Sequence, residues 1–183
     1  LARIRSAAEF ALNAREPPLS HDALLGMLAG IIEDCDNAKL QLQNLMDIRA
    51  MESGFLNLDR QRFDLVKTVA EIADLYAVLA EDKNIALNID VPEGQLSVDG
   101  DPLRLSQALA NLIDNAVKYT PRDGNIQITL ERAHGEALLT IGDTGIGIPE
   151  EDHALIGQRL FRSRNARSEK GLGLGMSIVK AIV

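Results

Sequence analysis

Leu24, Leu28, Ile31, Cys35, Ala38, Leu42 and Leu45 follow one another at steps of 4, 3, 4, 3, 4 and 3 residues. That spacing places them along one stripe of an α-helix and forms a coiled-coil seam over three repeats. Leu25, Ile32 and Met46 widen the stripe. The pattern predicts a helix over 22–51, roughly 45 Å long. A shorter stripe, Leu1, Ile4, Ala8 and Ala11, comes first, and Pro17-Pro18 and Ser20 separate the two. The prolines turn the first helix back, and Ser20 is placed to cap the second. Two helices cannot bury so wide a seam alone. The economical arrangement joins two hairpins in a four-helix bundle, hence a homodimer.

The periodicity changes after Met51-Glu52-Ser53-Gly54. Asp64 is an N-cap acid ahead of an amphipathic helix that runs to about Glu81. Ile85–Val91 alternates as a strand, and 126–132 with 137–142 reads as a hairpin around His134-Gly135. Helices lie between and after these strands, so the expected class is α+β. The hairpin is expected over residues 1–53, a linker over 54–62 and an α/β sandwich over 63–183.

Composition narrows the function. The chain has 183 residues, 46% of them apolar but only 3% aromatic, with no Trp, so its core must be aliphatic. A net charge of −8 argues against a nucleic-acid surface, which needs a basic face. The single cysteine, Cys35, excludes an internal disulfide and fits a reducing compartment. It reads as a small residue of the bundle seam. No apolar run approaches the roughly 20 residues of a membrane span, and no signal peptide is visible.

Two glycine clusters carry the chemistry: Asp143-Thr144-Gly145-Ile146-Gly147-Ile148 and Gly171-Leu172-Gly173-Leu174-Gly175. An anion needs bare backbone N–H groups nearby, and glycine removes the Cβ that would block the approach. A third element fits the same pocket. Asp101-Pro102 is a helix start, an N-cap followed by proline at the first helical position. In the helix that follows, Leu105, Leu109, Leu112, Ile113 and Ala116 share one side, while Asn111, Asn115 and Lys118 lie nearly opposite. Asn is a poor helix former, and a solvated face would carry Glu, Lys or Arg instead. An Asn carbonyl oxygen suits Mg²⁺, and Lys118 adds a cation for phosphate. These three elements together indicate an ATP-using protein.

The run from Asp101 to Thr120 resembles the N box of sensor histidine kinases. The two glycine clusters resemble their glycine boxes, in the same order, and Phe63-Asp64-Leu65 is similar too. The wider group includes gyrase, Hsp90 and MutL. The resemblance implies ATP and Mg²⁺ as ligands. Asn115 would coordinate the metal, and Asn111 would help hold it or its water. Lys118 and Tyr119 would contact phosphate and nucleoside. Asp143 would accept a hydrogen bond from the adenine amino group. Gly145, Gly147 and Ile148 would close beside the base, and Gly171, Leu172, Gly173, Leu174 and Gly175 would set amides on the phosphates. Asn111 and Lys118 are the residues expected to act in catalysis.

Between the glycine boxes lies the expected ATP lid, with Arg159, Arg162, Arg164, Arg167 and Lys170 in an otherwise acidic chain. Of these, Arg162 is expected to reach the nucleotide. The lid departs from the family, with Gly157 and Leu160 where Phe is common.

The resemblance also implies an acceptor histidine in an H box. Leu1-Ala2-Arg3-Ile4-Arg5 resembles the residues that follow that box, so the acceptor is expected before Leu1 and the chain is expected to be cut at both ends. His21-Asp22 has Gly26 where the H box has proline, and His134 and His153 lack a chemical context. The chain is therefore expected to bind ATP without phosphorylating itself. The further expectations are transfer of phosphate to a response-regulator receiver domain and a cytoplasmic location, with any membrane anchor outside this chain. A non-catalytic ATP-binding signalling module remains an alternative. A gyrase- or MutL-type ATPase would carry a Glu base where Asn111 stands.

Overall fold

The computed structural model describes residues 2–13, 20–52, 58–133, 135–166 and 173–183. The chain divides into two compact units, Leu1–Arg49 and Ala50–Val183. The first contains α1 (Ala2–Asn13) and most of α2 (His21–Glu52). Ser20 caps α2 as expected, its Oγ accepting from Ala23 N at 3.2 Å. Arg5 and Glu9 pair one turn apart on α1, at 2.7 Å. Along α2, Leu24, Leu25, Leu28, Ile32, Leu42 and Met46 are 38–67% exposed within the single chain. The turn expected at Pro17-Pro18 lies outside the described residues.

The second unit is a mixed α+β layer. Its elements are β1 (Gln61–Asp64), α3 (Leu65–Asp82), β2 (Ala86–Asp90), β3 (Ser97–Gly100), α4 (Pro102–Tyr119), β4 (Asn125–Ala133), β5 (Glu136–Asp143) and α5 (Gly175–Ile182). β4 is the middle strand of a three-stranded sheet, parallel to β2 and antiparallel to β5. Its inward residues Ile126, Ile128 and Leu130 are buried among Leu65, Val69, Ala73 and Ala80 of α3 and Leu109, Ile113, Ala116 and Val117 of α4. Every one of these is aliphatic, as the shortage of aromatics demands. α5 packs against α4 and buries Ile178.

β1 and β3 form a separate antiparallel ribbon, Phe63 opposite Val98, which the sequence pattern does not announce. It opens at Gln61, inside the stretch expected as linker. Four-residue strands are too short to show an alternation, and pairing with β3 is what orders β1. The ribbon fixes the starts of both long helices. Asp64 Oδ1 accepts from Val66 N, capping α3, and from Leu96 N, each at 3.1 Å. Asp101 Oδ1 accepts from Arg104 N, capping α4, while Oδ2 takes Asp59 N, again at 3.1 Å each.

α4 thus begins at a proline that needs no hydrogen bond there. It ends at Thr120, which is extended (φ −80°, ψ 127°) because the ring of Pro121 excludes the helical conformation before it.

Ile113 has no solvent exposure while Leu103, on the same helix, is 74% exposed. Truncating Ile113 to Ala is expected to cost about 2–4 kcal/mol in chemical denaturation. Leu103→Ala, which empties no core space, should stay within about 0.5 kcal/mol of the parent.

Candidate nucleotide-binding site

Asn111, Asn115 and Lys118 recur on α4 so that they share the side away from the aliphatic core, and all three are half-buried. The start of α5 lies against the two asparagines. A Cβ placed on Gly175 would lie 3.0 Å from Asn111 Oδ1 and 3.7 Å from Asn115 Nδ2. The second glycine box and the asparagine helix are therefore neighbours, although more than fifty positions separate them in the chain. Asn111 Nδ2 donates back to the Gln107 carbonyl at 2.9 Å, which leaves Oδ1 as the atom turned toward Gly175. An amide oxygen so oriented is a hard, uncharged donor of the kind Mg²⁺ accepts.

The first glycine box hangs on the other end of α4. Ile146 N donates to the Tyr119 carbonyl at 3.2 Å. A side chain on Gly145 would meet that same carbonyl oxygen at 2.7 Å and Asp143 Oδ1 at 2.5 Å, so only glycine fits. Asp143 ends β5, is exposed, and its Oδ1 accepts from Gly145 N at 2.8 Å. Thr144 stitches the loop to β4: Asn125 N donates to its Oγ1 at 2.9 Å, and Thr144 N donates to the Asn125 carbonyl at 3.0 Å. Ile146 and Ile148 leave about half of their apolar surface exposed beside Asp143. The Lys118 ammonium lies 5.2 Å from the centre of the Tyr119 ring, within cation–π reach.

Gly173 takes φ +70°, and a side chain there would meet the Phe161 carbonyl oxygen at 2.5 Å. That glycine joins the second box to the lid. Among the described residues the lid contains two 3₁₀ turns, Glu150–Leu155 and Arg164–Ala166. Arg162 sits beside Gly173, where a Cβ on the glycine would be 3.0 Å from its Cγ. Its Nη2 donates to the Ala166 carbonyl at 2.6 Å, so its guanidinium also braces the lid. His153 Nε2 lies 3.1 Å from the Ile148 carbonyl oxygen and ties the first turn to the first glycine box. The absence of a catalytic context around His153 in the sequence gave no hint of that contact. Leu160 takes φ +58° and is 65% exposed, where the family commonly has Phe. Gly171, Leu172, Arg167 and Lys170 lie outside the described residues.

Among the described residues no three His, Cys, Asp or Glu side chains cluster to hold a metal. No helix of the described residues is long and apolar enough to cross a membrane.

Residues 100–183 match the family described as histidine kinase-, DNA gyrase B- and HSP90-like ATPase. A solved structure of the mycobacterial sensor histidine kinase MprB is 31% identical. This chain covers 78% of it and 67% of the chain itself is matched, with a TM-score of 0.59. The chain belongs to the sensor histidine kinases. The histidine-protein kinase/phosphatase MprB of Mycolicibacterium smegmatis is 30% identical over the whole of this chain, which spans 37% of that protein's length. The Acinetobacter baumannii histidine kinase AdeS shares the fold across 99% of this chain and 81% of its own, at 20% identity and a TM-score of 0.75. The segment from α4 to α5 thus belongs to the ATP-binding catalytic domain of a histidine kinase.

One acid on α4 departs from ordinary behaviour. Asp114 is exposed on α4, yet partial desolvation of its carboxyl holds it above the usual carboxylate range, against the downward pull of the Lys118 ammonium. On α3, burial and then the Asp114 charge push the Tyr76 phenol up to about 12. A folded pKa above the unfolded one means that the protonated form favours folding. That contribution is complete below the unfolded pKa and lost as pH rises through the folded one. Asp114→Asn is therefore expected to melt slightly higher than wild type at pH 7, with the gap closed once the pH has fallen to about 4. Thermal melts at the two pH values read the difference.

Proposed function

We propose that this chain is the dimerisation and catalytic core of a sensor histidine kinase, binding ATP·Mg²⁺ between α4 and the two glycine boxes. The domain division follows: a dimerising hairpin over 1–53, a linker over 54–62 and the catalytic domain over 63–183. The observation that supports the reading is the approach of Gly175 to Asn111 Oδ1 and Asn115 Nδ2, which sets the second glycine box beside the asparagine face of α4.

In this reading Asp143 accepts the hydrogen bond of the adenine amino group, and its acceptor-only carboxylate selects adenine over guanine. Ile146 and Ile148 supply an apolar wall beside the base. Asn115 and Asn111 present oxygens to the metal, whose chemistry is to neutralise the charge of the phosphates. Lys118, one turn from Asn115, reaches the same phosphates, and the second glycine box supplies backbone amides to them. Phosphoryl transfer asks little covalent work of a protein. Positioning and charge compensation near an incoming imidazole nitrogen are what these residues contribute. The phosphate then passes to an aspartate of a response-regulator receiver domain.

The exposed seam of α2 supports a homodimer. Leu28, Ile32, Leu42 and Met46 would cost solubility on a lone helix, and a second hairpin covers them. A second reading, an ATP-binding signalling module without phosphoryl transfer, is favoured by the lid. Leu160 stands exposed in a left-handed conformation where the family packs an aromatic ring.

This chain should bind ATP in the presence of Mg²⁺, as read by isothermal titration. Replacing Asp143 with Asn should weaken binding at least tenfold, about 1.5–3 kcal/mol for a hydrogen bond to a charged group. Incubated with γ-labelled ATP, the chain should remain unlabelled, since none of His21, His134 and His153 stands in an H box. Acid-labile label on this chain would overturn that expectation. A version carrying an H box should become labelled on histidine, and failure to do so despite ATP binding would favour the second reading.

A further inference from the structure

The turn between α3 and β2 is built against the end of α4, and its lysine has no part in the chemistry described so far. Lys83 is half-buried. Its ammonium donates to the carbonyl oxygens of Val117 at 2.8 Å, Lys118 at 3.1 Å and Thr120 at 3.4 Å. The last carbonyls of a helix have no partner within it and carry the negative end of its dipole. Here the extended Thr120 prevents a further turn from serving them. A side chain with three donors, one positive charge and no acceptor meets that need.

Lys83 is itself held in place. Its N–H donates to the Ala80 carbonyl at 3.1 Å, and its carbonyl accepts from Asp123 N at 3.4 Å. Next to it Asn84 takes φ +57° and Asp123 takes φ +64°, and the Asn84 amide donates to the Asp123 carboxylate. Ala86 N then donates to the Gly124 carbonyl at 2.9 Å. Two left-handed turns, one before β2 and one before β4, are thus clasped together and aim the lysine at α4.

What hangs on that last turn is the pocket. Lys118 belongs to it, and the adjoining Tyr119 carbonyl carries the first glycine box through Ile146 N. We propose that Lys83 is a positioning residue of the nucleotide site. By gripping the Val117, Lys118 and Thr120 carbonyls it sets the place of the Lys118 ammonium and of the Asp143–Ile148 loop. The assignment rests on the ATP-binding reading above and names a residue that touches neither base nor phosphate.

The test compares the full chain with Lys83→Met, which keeps the stem and loses the donors, and Lys83→Arg, which restores charge and donors. Affinity for a fluorescent methylanthraniloyl ATP with Mg²⁺ is measured well below each protein's melting temperature, and the melting temperatures are recorded. Lys83→Met should bind about tenfold more weakly or worse, and Lys83→Arg should recover to within about threefold of wild type. Should Lys83→Met not fold, Lys83→Gln, with one donor pair and no charge, is judged by the same criterion. Wild-type affinity in a folded Met or Gln variant, with only its melting temperature lowered, would reduce Lys83 to a structural fastener and overturn the proposal. So would an Arg variant no better than Met. Failure of the wild type to bind nucleotide would instead sink the ATP-binding reading. The proposal is then decided by amide exchange at Ile146, which should quicken in Lys83→Met and would overturn it by staying unchanged.

Discussion

α4 is the piece on which the remainder of the catalytic unit depends, because one helix serves as both wall of the core and wall of the site. Its aliphatic side presses Leu109, Ile113, Ala116 and Val117 onto β4. Its polar side carries Asn111, Asn115 and Lys118, and sets the two asparagines against the start of α5. The two sides cannot be adjusted separately, since a helix turns as a rigid rod. Burial of the aliphatic stripe is the strong term, at about 25 cal/mol per Å² of apolar surface, and it settles the rotation of the helix. The polar residues, individually weak contributors to stability, inherit their aim from it.

Much of this was legible in the sequence, and for identifiable reasons. Asp101-Pro102 marks the start of α4 through covalent chemistry alone, and Asp64 and Ser20 cap where a short acceptor side chain must cap. The alternation through 126–132 and 137–142 named β4 and β5 because one face of each is driven into an aliphatic core. The glycine boxes were visible because bare backbone is a costly choice that close approach or a left-handed conformation justifies. Gly145 against the Tyr119 carbonyl shows that reason in place.

What stayed hidden depends on contacts between distant parts of the chain. The β1–β3 ribbon consists of strands too short for a period, each ordered by the other. His153 reaches the Ile148 carbonyl, and Lys83 the end of α4, through turns whose geometry no local pattern encodes. In the lid, short 3₁₀ turns replace regular helix, so periodicity had nothing to report. The helical unit shows the opposite case. Its heptad seam is plain in the sequence, yet several of its described hydrophobic side chains, Leu28, Ile32, Leu42 and Met46 among them, remain exposed in a single copy of the chain.

The two prolines that bracket α4, Pro102 at its first position and Pro121 just past its cap, index the helix at both ends. Neither end can slide to absorb a change of length between them. One inserted or deleted residue would turn everything downstream by about 100°, swinging Asn115 and Lys118 out of the pocket and displacing Val117 from the core together. Evolution can therefore alter letters within this stretch far more freely than it can alter their number, and the eighteen-residue interval from Pro102 to Tyr119 acts as a ruler for the proposed nucleotide pocket.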